Sequence, residues 1–101
     1  MNMFFSIGIE SPKSDNDAYG IAVPALCVGH YGCFSAADSL ADVTRCAQDA
    51  IRSILMCMVD DRFDIRGLVD AGTLVYQTHE DYAHCDTWLM VEVDLSGYLA
   101  G

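Results

Sequence analysis

Cys27, His30 and Cys33 recur at intervals of three, and they are the first side chains whose types could do chemistry. Two thiolates and an imidazole are three of the four ligands tetrahedral zinc takes, and His79, His84 or Cys85 would be a fourth. Structural zinc usually draws compact ligand pairs from two segments, and this spacing supplies no such pairs. Cysteine is also a common small core residue, so no metal and no cofactor are expected here. His84 and Cys85 adjoin, which suggests Cys–His nucleophilic catalysis. Neighbours on an extended segment point to opposite faces, so the imidazole is badly placed to take the thiol's proton. An exposed histidine beside a half-buried thiol is the simpler account. Asp42, Arg45, Asp49 and Arg52 step by three and four, which makes a solvated ion-pair ladder on a helix rather than a phosphate site.

The elements that carry these residues follow from periodicity. Met3, Phe5, Ile7 and Ile9 alternate with Phe4, Ser6, Gly8 and Glu10, the pattern of a strand. The polar run Ser11 to Asp17 reads as a hairpin turn. Tyr19 to Val23 is a second strand, stopped at Pro24, which cannot donate to a ladder. Tyr31 to Ala36 is short and apolar and forms a third, so that the three pair as an antiparallel meander. Ser39 opens a helix as its cap, with Asp42 suited to the positive end. Leu40, Val43, Ala47, Ala50, Ile51, Ile54, Leu55 and Met58 then make one apolar stripe that runs to about Val59. Asp64 to Gly72 holds a short second helix through Ile65, Leu68 and Val69, ended by Gly72. Thr73 to His84 is ambiguous between turn and helix. Thr87 to Val93 is a strand with Leu89, Val91 and Val93 on one face, and Leu95 to Gly101 is a short tail. Trp88 points the other way, either under the second helix or into an interface, where aromatic anchors are common. The expected fold is α+β: a mostly antiparallel sheet of about four strands in β-β-β-α-(α)-β order, with the long helix on one face.

Composition sets the partners. One hundred and one residues make one domain, and 52% hydrophobic against 20% charged residues is a globular balance. Fifteen carboxylates against five basic residues give a net charge of −10. Such a surface repels phosphate backbones and membrane headgroups and attracts a basic protein. Five cysteines are an odd number that cannot all pair internally. The N-terminus shows no basic, long apolar leader, and Ile54 to Val59, the longest apolar run, is far short of the roughly 18 residues a membrane span needs. Together these point to a reducing cytoplasm.

Ala18-Tyr19-Gly20-Ile21-Ala22-Val23-Pro24, followed by Gly32-Cys33-Phe34-Ser35-Ala36-Ala37-Asp38-Ser39-Leu40, resembles the N-terminal domain of HicB-like antitoxins. That family carries a tyrosine-glycine strand ending in proline, a glycine-cysteine-phenylalanine-serine turn and an aspartate-threonine helix start. Ala47 to Ile51 continues like its first helix, and Trp88 to Leu99 is similar to its final strand, with Val93-Asp94-Leu95-Ser96-Gly97-Tyr98-Leu99 the closest stretch. The chain departs from the pattern in the extra residues Leu26 to Tyr31, where the family makes a tight turn, and in Ala37, where the family has glycine. The family commonly continues into a DNA-binding segment after the final strand. This chain stops at Gly101, so a single HicB-like domain over 1–101 is expected, without that segment.

The resemblance implies a partial ribonuclease H-like fold without nuclease chemistry, whose role is to cover a small basic HicA-like toxin that cleaves mRNA. A ribonuclease H-type active site needs converging carboxylates for two metals, one of them inside the first strand. Met3 to Ile9 offers none, and Asp38 has an ordinary capping role at a helix start. No catalytic residues are therefore expected. Partner contacts are expected from Asp15, Asp17, Asp38, Tyr31 and Trp88. Binding of a HicA-like toxin, within a homo-oligomer and without nucleic acid or membrane, is the leading expectation. The rivals are a stand-alone ligand- or protein-binding regulator of the same fold, and a small hydrolase using Cys33, His30 or Asp38.

Overall fold

The computed structural model describes residues 1–99. The alternating segment at its start is a nine-residue strand, β1 (Asn2–Glu10), with Phe5, Ile7 and Ile9 fully buried on one side. Next come β2 (Tyr19–Ala22), β3 (Phe34–Ala37), the helix α1 (Val43–Asp60), a five-residue helix α2 (Thr73–Gln77) and β4 (Thr87–Asp94). The strands form one open sheet in the order β3-β2-β1-β4, every neighbouring pair antiparallel. The α+β fold read from the sequence, a meander plus a returning strand under one long helix, is the fold observed. No helix among the described residues is long and apolar enough to cross a membrane.

The helix α1 lies across the inner face of the sheet. Val43, Ala47, Ile51, Leu55 and Met58, three or four residues apart, are all completely buried there against Phe5, Ile7, Ile9, Val91 and Val93. On the solvent side the ladder forms as expected, with Arg45 3.5 Å from Asp42 and 3.8 Å from Asp49, and Arg52 3.3 Å from Asp49. The start of the helix differs from expectation. Leu40 to Asp42 is a 3-10 turn, which leaves Leu40 exposed and off the stripe. Ser39 caps no amide; its hydroxyl donates instead to the Asp42 carboxylate at 3.0 Å.

Two further boundaries move for local reasons. The third strand begins at Phe34 rather than Tyr31. Val23 N–H donates to the Cys33 carbonyl at 3.0 Å and closes the intervening residues into a loop, and Tyr31 turns away to donate to Asp61 at 2.7 Å. The second helix lies after Gly72, not before it. The Asp64 carboxylate accepts the Arg66 N–H and stops that segment at one 3-10 turn (Ile65–Gly67). Gly72, at φ 94°, in the left-handed region that favours glycine, starts α2 rather than ending a helix. The expected tail is partly core: Leu95 is buried, and its N–H donates to the Met1 carbonyl at 2.7 Å. Ala100 and Gly101 of that tail lie outside the described residues.

The reverse face of the sheet is roofed only in part, by residues 68–86. Ser6 is completely buried there; its N–H and hydroxyl donate to the two Asp70 carboxylate oxygens at 2.6 and 2.7 Å. Ser6 lies just beyond the β2 pairing, which begins at Gly8, so Asp70 takes the partner position that the short β2 strand leaves vacant. Beside it, Tyr76 of α2 stacks on Trp88 at 6.1 Å and 17°, and Tyr82 meets both rings edge-on. Trp88 is paired across the ladder with Gly8. A Cβ on Gly8 would stand 2.8 Å from both the Trp88 ring and the Cys85 sulfur, so only glycine lets this roof close.

Candidate partner-binding surface

Beyond that roof the outer face is open. Its exposed strand positions are Phe34 and Ala36 on β3, beside half-buried Gly20 and buried Ala22 on β2, set by the pairings Gly8 with Ala22, Gly20 with Ala36 and Ala22 with Phe34. Phe34 is 65% exposed, unusual for an aromatic ring inside a strand. The same end of the sheet collects acidic groups. Glu10 ends β1 opposite Gly20, and Asp38 follows Ala37, the partner of Tyr19. Asp15 and Asp17 sit in the hairpin just before Tyr19, and Asp86 joins the end of β1 through its N–H to the Ile9 carbonyl at 2.8 Å. Asp86 also accepts from the Ser11 hydroxyl at 2.9 Å, a bond that holds its carboxyl below the usual carboxylate value. Five of the chain's fifteen carboxylates thus gather around one open end.

The residues expected to contact a partner divide. Asp15, Asp17 and Asp38 are exposed and come together at this end. Tyr31 lies at the far end of α1, packed edge-on against Phe63 at 5.3 Å and bonded to Asp61. It meets the C-terminal end of α1, whereas Asp38 lies just before the N-terminal end. Trp88 packs in the roof against Tyr76 and Tyr82, not under the helix expected at Asp64 to Gly72. Glu10 and Phe34 were not singled out by sequence reasoning. Their signal was parity alone: both fall on the side of their strands that faces away from α1.

The Cys27, His30 and Cys33 side chains meet different partners. Cys27 donates its thiol to the Val23 carbonyl at 3.4 Å, whereas His30 turns to Asp61 at 3.7 Å. Cys33 is in the core, where burial pushes its thiol up to about 12 and Cys27 adds to the shift. A thiol protonated at neutral pH is neither a nucleophile nor a ready metal ligand. Burial likewise raises Cys85, helped by the negative charges of Glu10 and Asp86. His79 accepts the Asp81 N–H through Nδ1 at 3.2 Å and so caps a turn. What the open end presents is an acidic, partly apolar surface.

The comparisons with known proteins agree with that geometry. The crystal structure of the Burkholderia pseudomallei antitoxin HicB matches with a TM-score of 0.70 and 23% identity, over 93% of this chain and 65% of that one. This chain therefore spans just under two thirds of that antitoxin's length. The N-terminal domain of the same antitoxin, solved separately, matches with a TM-score of 0.68 and 24% identity, over 92% of this chain and all of that one. A chain from the HicA3 and HicB3 toxin–antitoxin complex matches with a TM-score of 0.69 and 19% identity, over 91% and 99%. At these identities the likeness concerns the fold. No individual curated protein sequence matches. The family model describing the HicB-like antitoxin of bacterial toxin–antitoxin systems matches residues 5–100, and the chain belongs to that family.

Proposed function

We propose that this chain is a non-catalytic protein that neutralises a small, basic, HicA-like mRNA-cleaving toxin by covering it. It does so in a reducing cytoplasm and as part of a homo-oligomer. The observation that carries the reading is the gathering of Glu10, Asp15, Asp17, Asp38 and Asp86 around an unroofed sheet face in a member of this family. A protein that binds RNA is basic on its working face, and opposed charge steers two such surfaces together and sets their register. Neutral burial then holds what charge has brought in, and Phe34 is placed to supply it.

The test is co-expression with the product of the short basic reading frame beside this gene, followed by a pull-down and a cell-growth assay. A stoichiometric complex and rescued growth are expected. Growth arrest that persists with the chain abundantly expressed contradicts the proposal. Residues 1–101 are not expected to bind operator DNA, since a net charge of −10 opposes the phosphate contacts that supply most non-specific affinity. Saturable, sequence-specific retardation of promoter DNA near physiological salt would refute this.

A further inference from the structure

We infer that a small cleft on the open end of the sheet is a slot for one arginine side chain of the basic partner, held between Glu10 and Phe34. The inference rests on the proposed function for its occupant and on the cleft itself for its chemistry. The cleft has a volume of about 170 Å³ and is lined by Glu10, Gly20, Ala22, Phe34, His84 and Cys85. That is below the roughly 300 Å³ at which pockets begin to take whole small molecules; it suits a single inserted side chain. Its floor is the backbone of β2 and β3, where Gly20 and Ala22 leave room above the sheet.

Each wall lies beside a glycine. A Cβ on Gly20 would stand 3.5 Å from the Glu10 Cβ and 3.6 Å from its Oε1, so the Glu10 side chain lies down over that glycine. A Cβ on Gly32 would stand 3.2 Å from the Phe34 ring, so the ring lies back against bare backbone and keeps one face open. Among the described residues no cation is within ion-pair distance of Glu10. A carboxylate and an exposed aromatic ring flanking a narrow slot favour a planar guanidinium, which pairs with the one through two N–H groups and stacks on the other. Lysine, a compact and strongly hydrated charge, gains less from both walls. Asp15, Asp17, Asp38 and Asp86 lie toward the same end of the sheet and attract the cation without shaping the slot.

The experiment has two arms, both on residues 1–101. In the first, acetyl-arginine amide is titrated and followed by amide NMR, with acetyl-lysine amide as comparator. Shifts concentrated on Gly20, Ala22, Phe34 and Cys85, weaker with lysine and reduced several-fold in Glu10→Gln, are expected. Shifts spread evenly over all the carboxylates, or equal for the two ligands, overturn the slot. In the second arm, Glu10→Gln and Phe34→Leu, checked for unchanged melting, are titrated with the co-expressed basic toxin. Each is expected to weaken binding about tenfold, Glu10→Gln through the charge-assisted contact and Phe34→Leu through the lost stacking ring. Toxin binding unchanged in both variants overturns the slot and leaves the proposed function standing. Arginine seated in the slot of a chain that binds no basic toxin keeps the slot and removes the function.

Discussion

The two faces of the sheet come from the same strands, yet they are finished differently. Towards α1 the sheet presents Phe5, Ile7, Ile9, Val91 and Val93, none more than 3% exposed. On the reverse side the same strands present Phe4 at 56% and Met90 at 50% exposure, and β3 adds Phe34. The inner face is held by aliphatic packing, which is non-directional and adds up over area. The outer face is held at two points, by the bonds of Asp70 to Ser6 and by three aromatic rings over Gly8, and is otherwise bare. Stability is concentrated on one side, and large apolar side chains are left exposed on the other.

That contrast breaks most visibly through the inner face. Ile51→Asp puts a charge at the middle of the completely buried stripe and is expected to cost over about 4 kcal/mol. No cooperative unfolding transition should remain in a denaturant titration; an intact one would misplace the helix face. Asp70→Ala attacks the outer roof instead. It leaves the buried Ser6 amide and hydroxyl without acceptors, for a cost of roughly 2–3 kcal/mol. Fast hydrogen exchange at Ser6 alongside a retained α1 is the expected signature, and unchanged protection there would show that Asp70 is no fastener.

A third variant is milder. Gly8→Ala forces the Trp88 ring and Cys85 apart, which costs about 1–3 kcal/mol in strain and shifts the tryptophan emission. Emission and melting like the parent would mean that the roof yields freely. The smallest effect is acid-linked. The Ser11 hydroxyl lowers the folded pKa of Asp86 below 3.8, so its contribution is present above that value and is lost as pH falls through the folded pKa. Ser11→Ala should lower the melting temperature slightly at pH 6, and the difference should fade below pH 3.8. A difference that is the same at both pH values would detach Asp86 from the acid response.

Much of this was legible in the residues. Period two in Met3 to Ile9 and the three-four stripe from Val43 to Met58 placed the core, because burial of one face leaves little alternative. Asp15, Asp17 and Asp38 were legible as acidic surface, though that the three meet at one end follows only from the pairing of β2 with β3. What was hidden depended on contacts between distant segments. Gly72 looked like a helix stop because Asp70's bond to Ser6, 64 residues away, is invisible locally. Tyr31 looked like strand because nothing nearby announces Asp61 and Phe63. Glu10 and Phe34 became a site only when three strands and two glycines were assembled.

The central claim is that the open, acidic end of the outer face, and not the packed core, meets the partner. The most direct measurement is the association rate between the basic toxin and the triple variant Asp15→Asn, Asp17→Asn, Asp38→Asn, compared with the parent chain at low salt and at 0.15 M salt. All three side chains are exposed, so melting should not change. Association should slow by about tenfold at low salt. The gap should narrow at 0.15 M, where charges act over only about 8 Å. Equal on-rates for the two proteins at low salt would contradict the account and place the recognition surface elsewhere on the molecule.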